Sequence, residues 1–493
     1  MSLYRRDIKN KPRWKDVYER APEVPYISKG PMTLKVSMNM FCENRRRLVQ
    51  ELRKATPHAL VLVQAASPQT CLGRSSYVQD SIFFWTFGYN RSRAMGAIDL
   101  VSSKSYLIVS RESTDGSECC EKRFSRKKIK RQYFVDNVWY LDELDCMLDL
   151  MKNYNDCREI LILNYQKQEL PANIFNYEVD YLLLEPVIRE LMAKKTKSEL
   201  KILRYIAKYL ESALMHIMQR FRPGMTDNQL EAWFSFFMTY KSDFDQLTFC
   251  IFSGGNHLDH HNCGRRLPVS KRQKVFKEGE LCIIDVGASY FGLKLSLGIV
   301  LPVSERFNSL QKNAYETVLQ MRISVCRVLQ PGTPFQEVQK RAEKSLIYIL
   351  IESKLLYGTV EGAYEHGMGK FLIPYNVVRS MDVLCEDQQK LELGKTYLVQ
   401  PGCYFTKSWL DEAYKDEVFK LYLTPDLRDY EDIVVKVSDP IIITDEGFRY
   451  LSEMPRACCT INDMRLVDQV KRSDFTDTQV KENLTVKPSS FRL

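Results

Sequence analysis

The sequence predicts an α/β (α+β) protein of two domains, and three observations lead to that prediction. A chain of 493 residues is long enough for two domains with separate hydrophobic cores. Short β-rich segments alternate with helical ones over about residues 33–184. A capped helix then opens a second region near residue 196, and in that region a helix, a Pro-Gly turn and another helix occur twice.

The first predicted domain covers residues 31–190 and follows a basic N-terminal extension at residues 1–30. Its predicted strands are rich in Val, Ile, Leu and Ala, and they lie at 59–63, 97–101, 106–109 and 159–163. Apolar residues with helical spacing predict helices at 45–54 and 141–152. The alternation of the two kinds of segment is typical of an α/β domain.

The second predicted domain covers residues 191–458 and begins with a long helix. Thr196 and Glu199 have the spacing of a capping box, in which each side chain accepts a hydrogen bond from the other residue's backbone N–H. Apolar residues then recur at intervals of three and four, which predicts a helix that continues to about residue 221. Pro223 and Gly224 end this helix, and Thr226 opens a second capping box.

The same arrangement is found again later in this domain. A helix predicted over 309–329 ends at Pro331, and another begins near Pro334, so the two Pro-Gly turns are 108 residues apart. We interpret the repeat as the trace of an internal duplication, with two α/β halves in one domain. The remaining residues, 459–493, form a polar tail without clear periodicity.

The composition excludes several classes of protein. The hydrophobic fraction of 45% and the charged fraction of 27% are those of an ordinary globular protein, and no apolar run is long enough to cross a bilayer. The first residues are polar and lack the apolar stretch of a secretory signal. The 14 cysteines are scattered without a C-x-x-C spacing, which favours reduced thiols. We expect a cytoplasmic protein without membrane contact, and nuclear localisation is the alternative.

The net charge of +9 is concentrated in one run, residues 122–131, where seven of ten residues are basic. Such a run is typical either of a solvated surface helix or of a nucleic-acid or nuclear-import patch. We favour the surface helix, because no interleaved aromatic residues accompany the run. Nucleic acid is therefore not an expected partner, although a nucleic-acid or chromatin-associated binding module remains the second alternative function.

Eight short motifs, taken in order, resemble those of prolidase, the Xaa-Pro dipeptidase of the pita-bread metallopeptidase family. They are TLKV at 33–36, NRRRL at 44–48, FFWTFG at 83–88, SGGN at 253–256, IDVG at 284–287, HGMG at 366–369, QPG at 400–402 and TDEG at 444–447. Their order and spacing fit over about residues 33–458. The resemblance implies an N-terminal α/β creatinase/prolidase-like domain, a pita-bread (aminopeptidase P-like) domain, a dimer, and two manganese ions in active members.

The resemblance also implies where the metal ligands should lie, and this chain keeps one of five. Active members use two aspartates, one histidine and two glutamates. The matching positions here form a degenerate metal pocket: Asp285, Ser296, Lys370, Gln400 and Ser438. The neutral amide of Gln400 is a far weaker donor to a hard divalent cation than a carboxylate. Asp439 is one residue from the last position, but a slip of one residue along a strand points the side chain to the opposite face.

The charges of these positions suggest a replacement for the metal. We hypothesise that Lys370 occupies the vacated metal position and pairs with Asp285, so that the pocket sums to zero charge as in the active family. The alternative is that Lys370 extends into solvent. We also expect Asp285 and Ser296 to face each other across a hairpin that turns near residues 290–291.

Other positions bear on substrate binding. His261 and His366 match positions in the cleft of the family. The second cleft histidine is replaced by Val377, and the arginine that holds the substrate carboxylate is replaced by Glu386. Cys250, Cys282 and Cys403 lie on apolar segments and are interpreted as packing residues rather than nucleophiles.

The resulting hypothesis is a prolidase-like pseudoenzyme with no catalytic residues and no metal cofactor. Its role would be to bind a peptide or protein partner, or to assemble as a homodimer or as a heterodimer with a paralogue. The first alternative is an Xaa-Pro dipeptidase with rearranged manganese ligands, drawn from Asp285, Asp439, His261 and His366.

Overall fold

The computed structural model describes residues 24–66, 79–111, 125–169, 174, 176–253, 275–382 and 389–462, without the side chains of residues 250, 252 and 253. The described chain forms two compact units. The first consists of residues 24–28 and 35–191, and the second of residues 29–34 and 192–462. Most of the predicted N-terminal extension and C-terminal tail lies outside the described residues.

The first unit is built on a six-stranded mixed sheet. The strands of this unit are β1 (Tyr26–Ile27), β2 (Val36–Ser37), β3 (Ala59–Gln64), β4 (Ala94–Asp99), β5 (Ser105–Val109), β6 (Asn137–Tyr140), β7 (Glu159–Leu161) and β8 (Glu178–Asp180). The sheet has the order β6-β5-β4-β3-β7-β8, while β1 and β2 pair separately. Its helices are α1 (Asn39–Leu52), α2 (Ser81–Phe87), α3 (Arg126–Tyr133), α4 (Leu144–Tyr154) and α5 (Leu184–Ala193), of which α5 ends in the second unit. All four predicted strands are present.

Helix α2 shows how the FFWTFG motif determines local structure. The Asp80 side chain accepts from the backbone N–H of Phe83 and caps the helix, and every residue from Ile82 to Phe87 is buried. Gly88 ends the helix with a φ of +65°, and a Cβ atom there would lie 2.7 Å from the Phe41 ring. Glycine is therefore required at this position for both its backbone conformation and its small size.

The second unit contains seven helices and nine strands among the residues that the structure describes. The helices are α6 (Lys197–Arg220), α7 (Asp227–Lys241), α8 (Ser309–Cys326), α9 (Phe335–Glu352), α10 (Val360–Glu365), α11 (Met368–Leu372) and α12 (Lys407–Lys415). The strands are β9 (Gln246–Ser253), β10 (Leu281–Tyr290), β11 (Leu293–Pro302), β12 (Val378–Ser380), β13 (Thr396–Val399), β14 (Gly402–Phe405), β15 (Ile433–Lys436), β16 (Asp439–Thr444) and β17 (Gly447–Tyr450).

The helix boundaries follow the sequence signals. Thr196 and Glu199 form the predicted capping box of α6, and Thr226 with Gln229 forms that of α7. Pro334 is the N-cap of α9, directly after the second Pro-Gly turn. The repeated pair α6–α7 and α8–α9 is therefore present, and each pair is followed in the chain by β-strands.

The strands of the second unit form three sheets. Strands β11, β10 and β9 are antiparallel neighbours in one sheet, β12-β13-β16-β17 form another, and β14 pairs with β15. An isolated bridge between Gly298 and Ser438 joins β11 to the segment between β15 and β16, through backbone hydrogen bonds of 3.1 and 3.3 Å. This bridge brings the two parts of the candidate site together.

The basic run forms a surface helix where it is described. Ser125 caps α3, Ile129 is its one buried residue, and Lys127, Lys128 and Lys130 are exposed. Residues 122–124 lie outside the described part of the chain. Across the described residues, every helix is too short or too polar to cross a lipid bilayer.

Candidate functional site

Asp285 lies near the middle of β10, directly opposite Gly298 of β11. A Cβ atom on Gly298 would lie 2.0 Å from the Asp285 Oδ1 atom and 2.7 Å from the Ser438 hydroxyl oxygen. The glycine thus provides the space into which the carboxylate folds, and Ser438 reaches the same space from the neighbouring segment. A larger residue at 298 would displace both side chains.

The Asp285 carboxylate is paired with a cation that comes from β15. Lys436 Nζ lies 2.8 Å from Asp285 Oδ2, and the Ser438 hydroxyl donates to Asp285 Oδ1 at 3.2 Å. The Lys436 side chain is only 5% exposed and that of Asp285 is 26% exposed. A close, mostly buried ion pair with an added hydroxyl bond satisfies the charge of the carboxylate.

Gln400 lies between β13 and β14, on the side that carries Lys436 and Ser438. Strand β13 pairs Val399 with Asp439, and β14 pairs Gly402 with Lys436. The register is the same in both pairs, which puts Gln400 opposite Ser438. Side chains alternate along a strand, so this register puts Gln400 on the side of Ser438 and Lys436, the two residues that contact Asp285. Gln400 is buried, and its backbone N–H donates to the Val377 carbonyl at 2.6 Å.

Ser296 does not lie directly opposite Asp285, and the expected hairpin register was wrong by two residues. Phe291 and Gly292 both have positive φ, +50° and +77°, and form a two-residue turn that pairs Tyr290 with Leu293. Ser296 is therefore opposite Gly287, and its hydroxyl would lie 3.1 Å from a Cβ atom there. A shift of two residues preserves the face of the strand, so Ser296 and Asp285 are still diagonal neighbours on one face.

The hypothesis that Lys370 pairs with Asp285 is not borne out by the structure. Lys370 is exposed on α11, and its electrostatic neighbour is Glu343 of α9. Burial raises the pKa of Glu343, while a bond from Gln339 and the charge of Lys370 lower it. The cation that neutralises Asp285 is Lys436, because β15 runs beside β10 whereas α11 packs against α9.

The structure describes two of the four predicted cleft positions, His366 and Val377. His366 is exposed, and its Nδ1 atom lies 2.7 Å from the Gly362 carbonyl and 3.0 Å from the Tyr422 hydroxyl. Val377 is fully buried. His261 and Glu386 lie outside the described residues, and so does the side chain of Cys250, whereas Cys282 and Cys403 are buried as expected for packing residues.

Asp439 is committed to a different set of contacts on the opposite face of its strand. Its Oδ2 atom accepts from Arg322 Nε at 2.5 Å, and its Oδ1 atom accepts from Arg456 at 2.8 and 3.1 Å. Arg456 also donates to the carbonyls of Gly298 and Ser438, at 2.6 and 3.0 Å. These contacts, which we call the Asp439 clamp, support the bridge between Gly298 and Ser438 from the face opposite the pocket.

Sequence reasoning missed two groups that shape the pocket. Lys436 could have been found, because it is two residues before Ser438 and therefore on the same face of one strand. No sequence signal pointed to Tyr375. Its hydroxyl lies against Gly402, where a Cβ atom would be only 2.3 Å away. Burial raises the pKa of Tyr375, and also that of its neighbour Tyr404, well above the usual value of 10.0.

The donors in this pocket do not fit a dinuclear metal centre. Within the part of the chain that the structure describes, no three His, Cys, Asp or Glu side chains come together in a way that could hold a metal ion. The one carboxylate at the expected ligand positions, Asp285, is bonded to an ammonium group and a hydroxyl. Hard divalent cations require several anionic or carbonyl oxygens, and the ammonium charge of Lys436 would oppose such an ion.

The fold and the position of the pocket define the class of protein. Residues 201–445 match the model of metallopeptidase family M24, and residues 41–160 match that of the aminopeptidase P N-terminal domain. The two matched regions lie in the second and first units respectively. The class is that of two-domain proteins with an aminopeptidase P-type N-terminal domain and a pita-bread domain.

Individual relatives give a more specific assignment. The chain is 26% identical over 478 residues to the Xaa-Pro dipeptidase of Rattus norvegicus, covering 88% of this chain and 94% of the relative. It is 25% identical over 473 residues to the Xaa-Pro dipeptidase of Homo sapiens, covering 87% and 93%. The chain is a prolidase-like member of the pita-bread metallopeptidase family.

Solved structures show the same fold at lower identity. The proline aminopeptidase P II of Yersinia pestis superposes with a TM-score of 0.70 at 20% identity and covers 87% of this chain and 100% of that one. A zinc-substituted Escherichia coli aminopeptidase P in complex with product gives a TM-score of 0.70 at 19% identity, covering 87% and 98%. The predicted fold class is therefore confirmed.

Proposed function

We propose that this chain is a prolidase-like pseudoenzyme, which binds a partner or assembles with another chain and does not hydrolyse Xaa-Pro dipeptides. The observation that carries the proposal is the contact of 2.8 Å between Lys436 and Asp285. Through this contact a side chain of the protein itself neutralises Asp285, the one carboxylate at the expected ligand positions.

The proposal is supported by the charge that the pocket can supply. Two divalent cations carry four positive charges, and a water bridged between them needs both ions to be held in place. Asp285 supplies one negative charge, while Ser296, Gln400 and Ser438 supply none. The single charge of Lys436 is sufficient to balance Asp285, so the pocket is neutral without an ion.

The alternative, an Xaa-Pro dipeptidase with rearranged ligands, has less support. It needs three or more ligands from Asp285, Asp439, His261 and His366. Asp439 is held by two arginines on the other face of its strand. His366 is exposed and bonded to the Gly362 carbonyl and the Tyr422 hydroxyl. Removing Asp439 from its clamp would leave two arginines without their carboxylate, at a cost of several kcal/mol.

The test is a metal and activity measurement on the purified chain. After incubation with manganese and removal of the excess, we expect well below one ion per chain by elemental analysis, and no hydrolysis of Xaa-Pro dipeptides above a blank without protein. Two tightly held ions per chain, or manganese-dependent turnover, would contradict the proposal.

A variant with restored ligands supplies the positive control. Ser296→Asp, Gln400→Glu and Ser438→Glu add three carboxylates to Asp285, which gives four at the expected ligand positions. We expect this triple variant to bind divalent cations with measurable stoichiometry, because the anionic oxygens that the ions need are then present. The single Gln400→Glu variant, with Lys436 still balancing Asp285, is the matched control and should not bind stoichiometrically.

A further inference from the structure

The outer faces of two helices in the second unit form a groove that the pocket at Asp285 does not use. Helix α8 contributes Gln320, Ile323 and Ser324, followed by Arg327 at its C-cap, and α9 contributes residues from Glu337 to Ile349. These residues recur at intervals of three and four, so each set lies on one face of its helix. The cavity between them, here called the α8–α9 groove, has a volume of about 660 Å³.

The groove is positively charged. Four cations, Arg327, Lys340, Arg341 and Lys344, line it against two carboxylates. Glu361 of α10 is already paired with Lys344 at 3.1 Å. The guanidinium of Arg341 on α9 donates to the Ser324 hydroxyl on α8 at 2.8 Å. This partner is neutral, so the contact does not balance the charge of the arginine.

Two large apolar side chains are exposed among these cations. Ile323 is 55% exposed on α8, and Tyr348 is 56% exposed on α9. Their exposure is unfavourable in water, and aromatic and arginine side chains placed together are typical of the centre of an interface. The groove therefore combines an apolar anchor point with a positive rim.

We propose that the α8–α9 groove binds an acidic peptide segment of a partner protein, with one apolar side chain of that segment lying between Ile323 and Tyr348. Charge complementarity to the three cations of α9, Lys340, Arg341 and Lys344, selects carboxylates. The apolar floor selects a peptide over a nucleic acid, because single strands need rows of aromatic side chains for stacking and this groove presents one tyrosine. The volume is within the range that holds a few residues.

This surface goes beyond the proposed loss of metal chemistry and does not depend on it. The groove and the pocket share no side chain: Arg322 of α8 is directed to Asp439, whereas its neighbour Ile323 is exposed. Peptide binding in the groove could therefore be present in an active or an inactive protein.

The test uses fluorescence anisotropy with a labelled decapeptide of alternating Asp and Glu that carries one central Leu. We expect saturable binding to the full-length chain. The double variant Lys340→Glu/Arg341→Glu should weaken it at least about tenfold, because both charges are reversed. The matched control, Lys127→Glu/Lys128→Glu on the exposed helix α3, makes the same change in net charge and should alter binding less than about twofold.

Two further measurements distinguish the occupant. Tyr348→Ser should weaken the Leu-containing peptide about fivefold and leave a peptide without Leu unaffected, since only the former uses the apolar anchor. A twelve-residue oligothymidylate should bind more weakly than the peptide. Tighter binding of the oligonucleotide, equal losses in both double variants, or no saturation with the peptide would overturn the proposal. Because the substituted residues are all exposed, thermal melts of all variants should coincide with that of the parent.

Discussion

Two carboxylates in different sheets of the second unit, Asp285 on β10 and Asp439 on β16, have different partners. Asp285 is bonded to the Lys436 ammonium group and the Ser438 hydroxyl, and 26% of its side chain is exposed. Asp439 is bonded to two arginines, and 6% of its side chain is exposed. The first carboxylate is at a position where the family implies a metal ligand, and the second is one residue after such a position.

The difference shows that the alternation of strand faces determines what a carboxylate can do. Ser438 and Asp439 are consecutive, yet Ser438 bonds to Asp285 while Asp439 bonds to Arg322 and Arg456 on the other face. A carboxylate displaced by one residue points to the opposite face, and here it is held by two arginines instead of lying beside Asp285. The following predictions test this comparison.

The largest effect is expected from Arg456→Met, which removes the more buried partner of Asp439. We expect a loss of about 3–5 kcal/mol in the free energy of unfolding, because a buried carboxylate loses a charged partner and two carbonyls lose their donor. Urea unfolding of the purified chain measures it.

The matched control is Arg449→Met, whose ion pair with Glu446 is exposed on both sides. That variant should lose about 0.5 kcal/mol or less. Equal losses in the two variants would show that the Asp439 clamp does not stabilise the bridge between the strands.

A smaller effect is expected from Lys436→Met. The loss should be about 2 kcal/mol, below that of the clamp, since water can still reach part of the Asp285 carboxylate. The double variant Asp285→Asn/Lys436→Met should be more stable than the sum of the single changes predicts, by about 1 kcal/mol, because it removes both charges together. Strict additivity in urea unfolding would contradict the ion pair.

The pH dependence of the free energy of unfolding should also distinguish the side of the Asp285 pocket from that of the Asp439 clamp. Burial raises the pKa of Tyr375 on the pocket side well above 10.0, and that of Tyr315 on the clamp side to about 12. Above pH 10 the unfolded tyrosine loses its proton while the folded one keeps it, so stability falls as the pH rises, by up to about 1.4 kcal/mol per unit for each tyrosine.

Tyr375→Phe should make the fall of stability with pH shallower by the contribution of one tyrosine throughout the alkaline range. Tyr315→Phe should do the same up to about pH 12. Stability of each variant relative to the parent, measured by urea unfolding at several pH values, checks this. An unchanged slope in both variants would show that neither hydroxyl is buried as described.

The smallest perturbation is chemical labelling of cysteines. Burial raises the pKa of Cys403 to about 12, whereas Cys146 and Cys459 are exposed. At pH 8 the thiolate fraction of Cys403 should be roughly a thousandfold lower than that of an ordinary cysteine. Mass spectrometry after brief iodoacetamide treatment should find label on Cys146 and Cys459 well before any appears on Cys403. Rapid labelling of Cys403 would indicate that the strand after Gln400 opens to solvent.

Much of this architecture could be read from local signals. Thr196 and Thr226 form the capping boxes that their spacing predicts, and the Pro-Gly turns end their helices as expected. These features depend on contacts within a few residues, so the sequence contains all the participants. The motif order also led to the correct fold class and to Gln400 and Ser438, which the strand register places opposite each other.

The pairing within the pocket could not be read in the same way. Lys370 was the expected partner of Asp285, and the structure supplies Lys436 instead. Both lysines are far from Asp285 in sequence, and only the arrangement of β15 beside β10 favours one of them. The register of the β10–β11 hairpin likewise depended on two positive φ angles at the turn, which shifted Ser296 to face Gly287.

The sequence by itself therefore determined the two-domain fold and the helix boundaries, and it predicted that four of the five expected metal ligands are replaced. Those properties depend on residue identity and on local hydrogen bonds. Only the tertiary structure decided which cation neutralises Asp285 and which arginines hold Asp439. The contacts of Lys436 with Asp285 and of Arg322 with Asp439 join residues more than 100 positions apart, and they depend on strand register and on the face that each side chain takes.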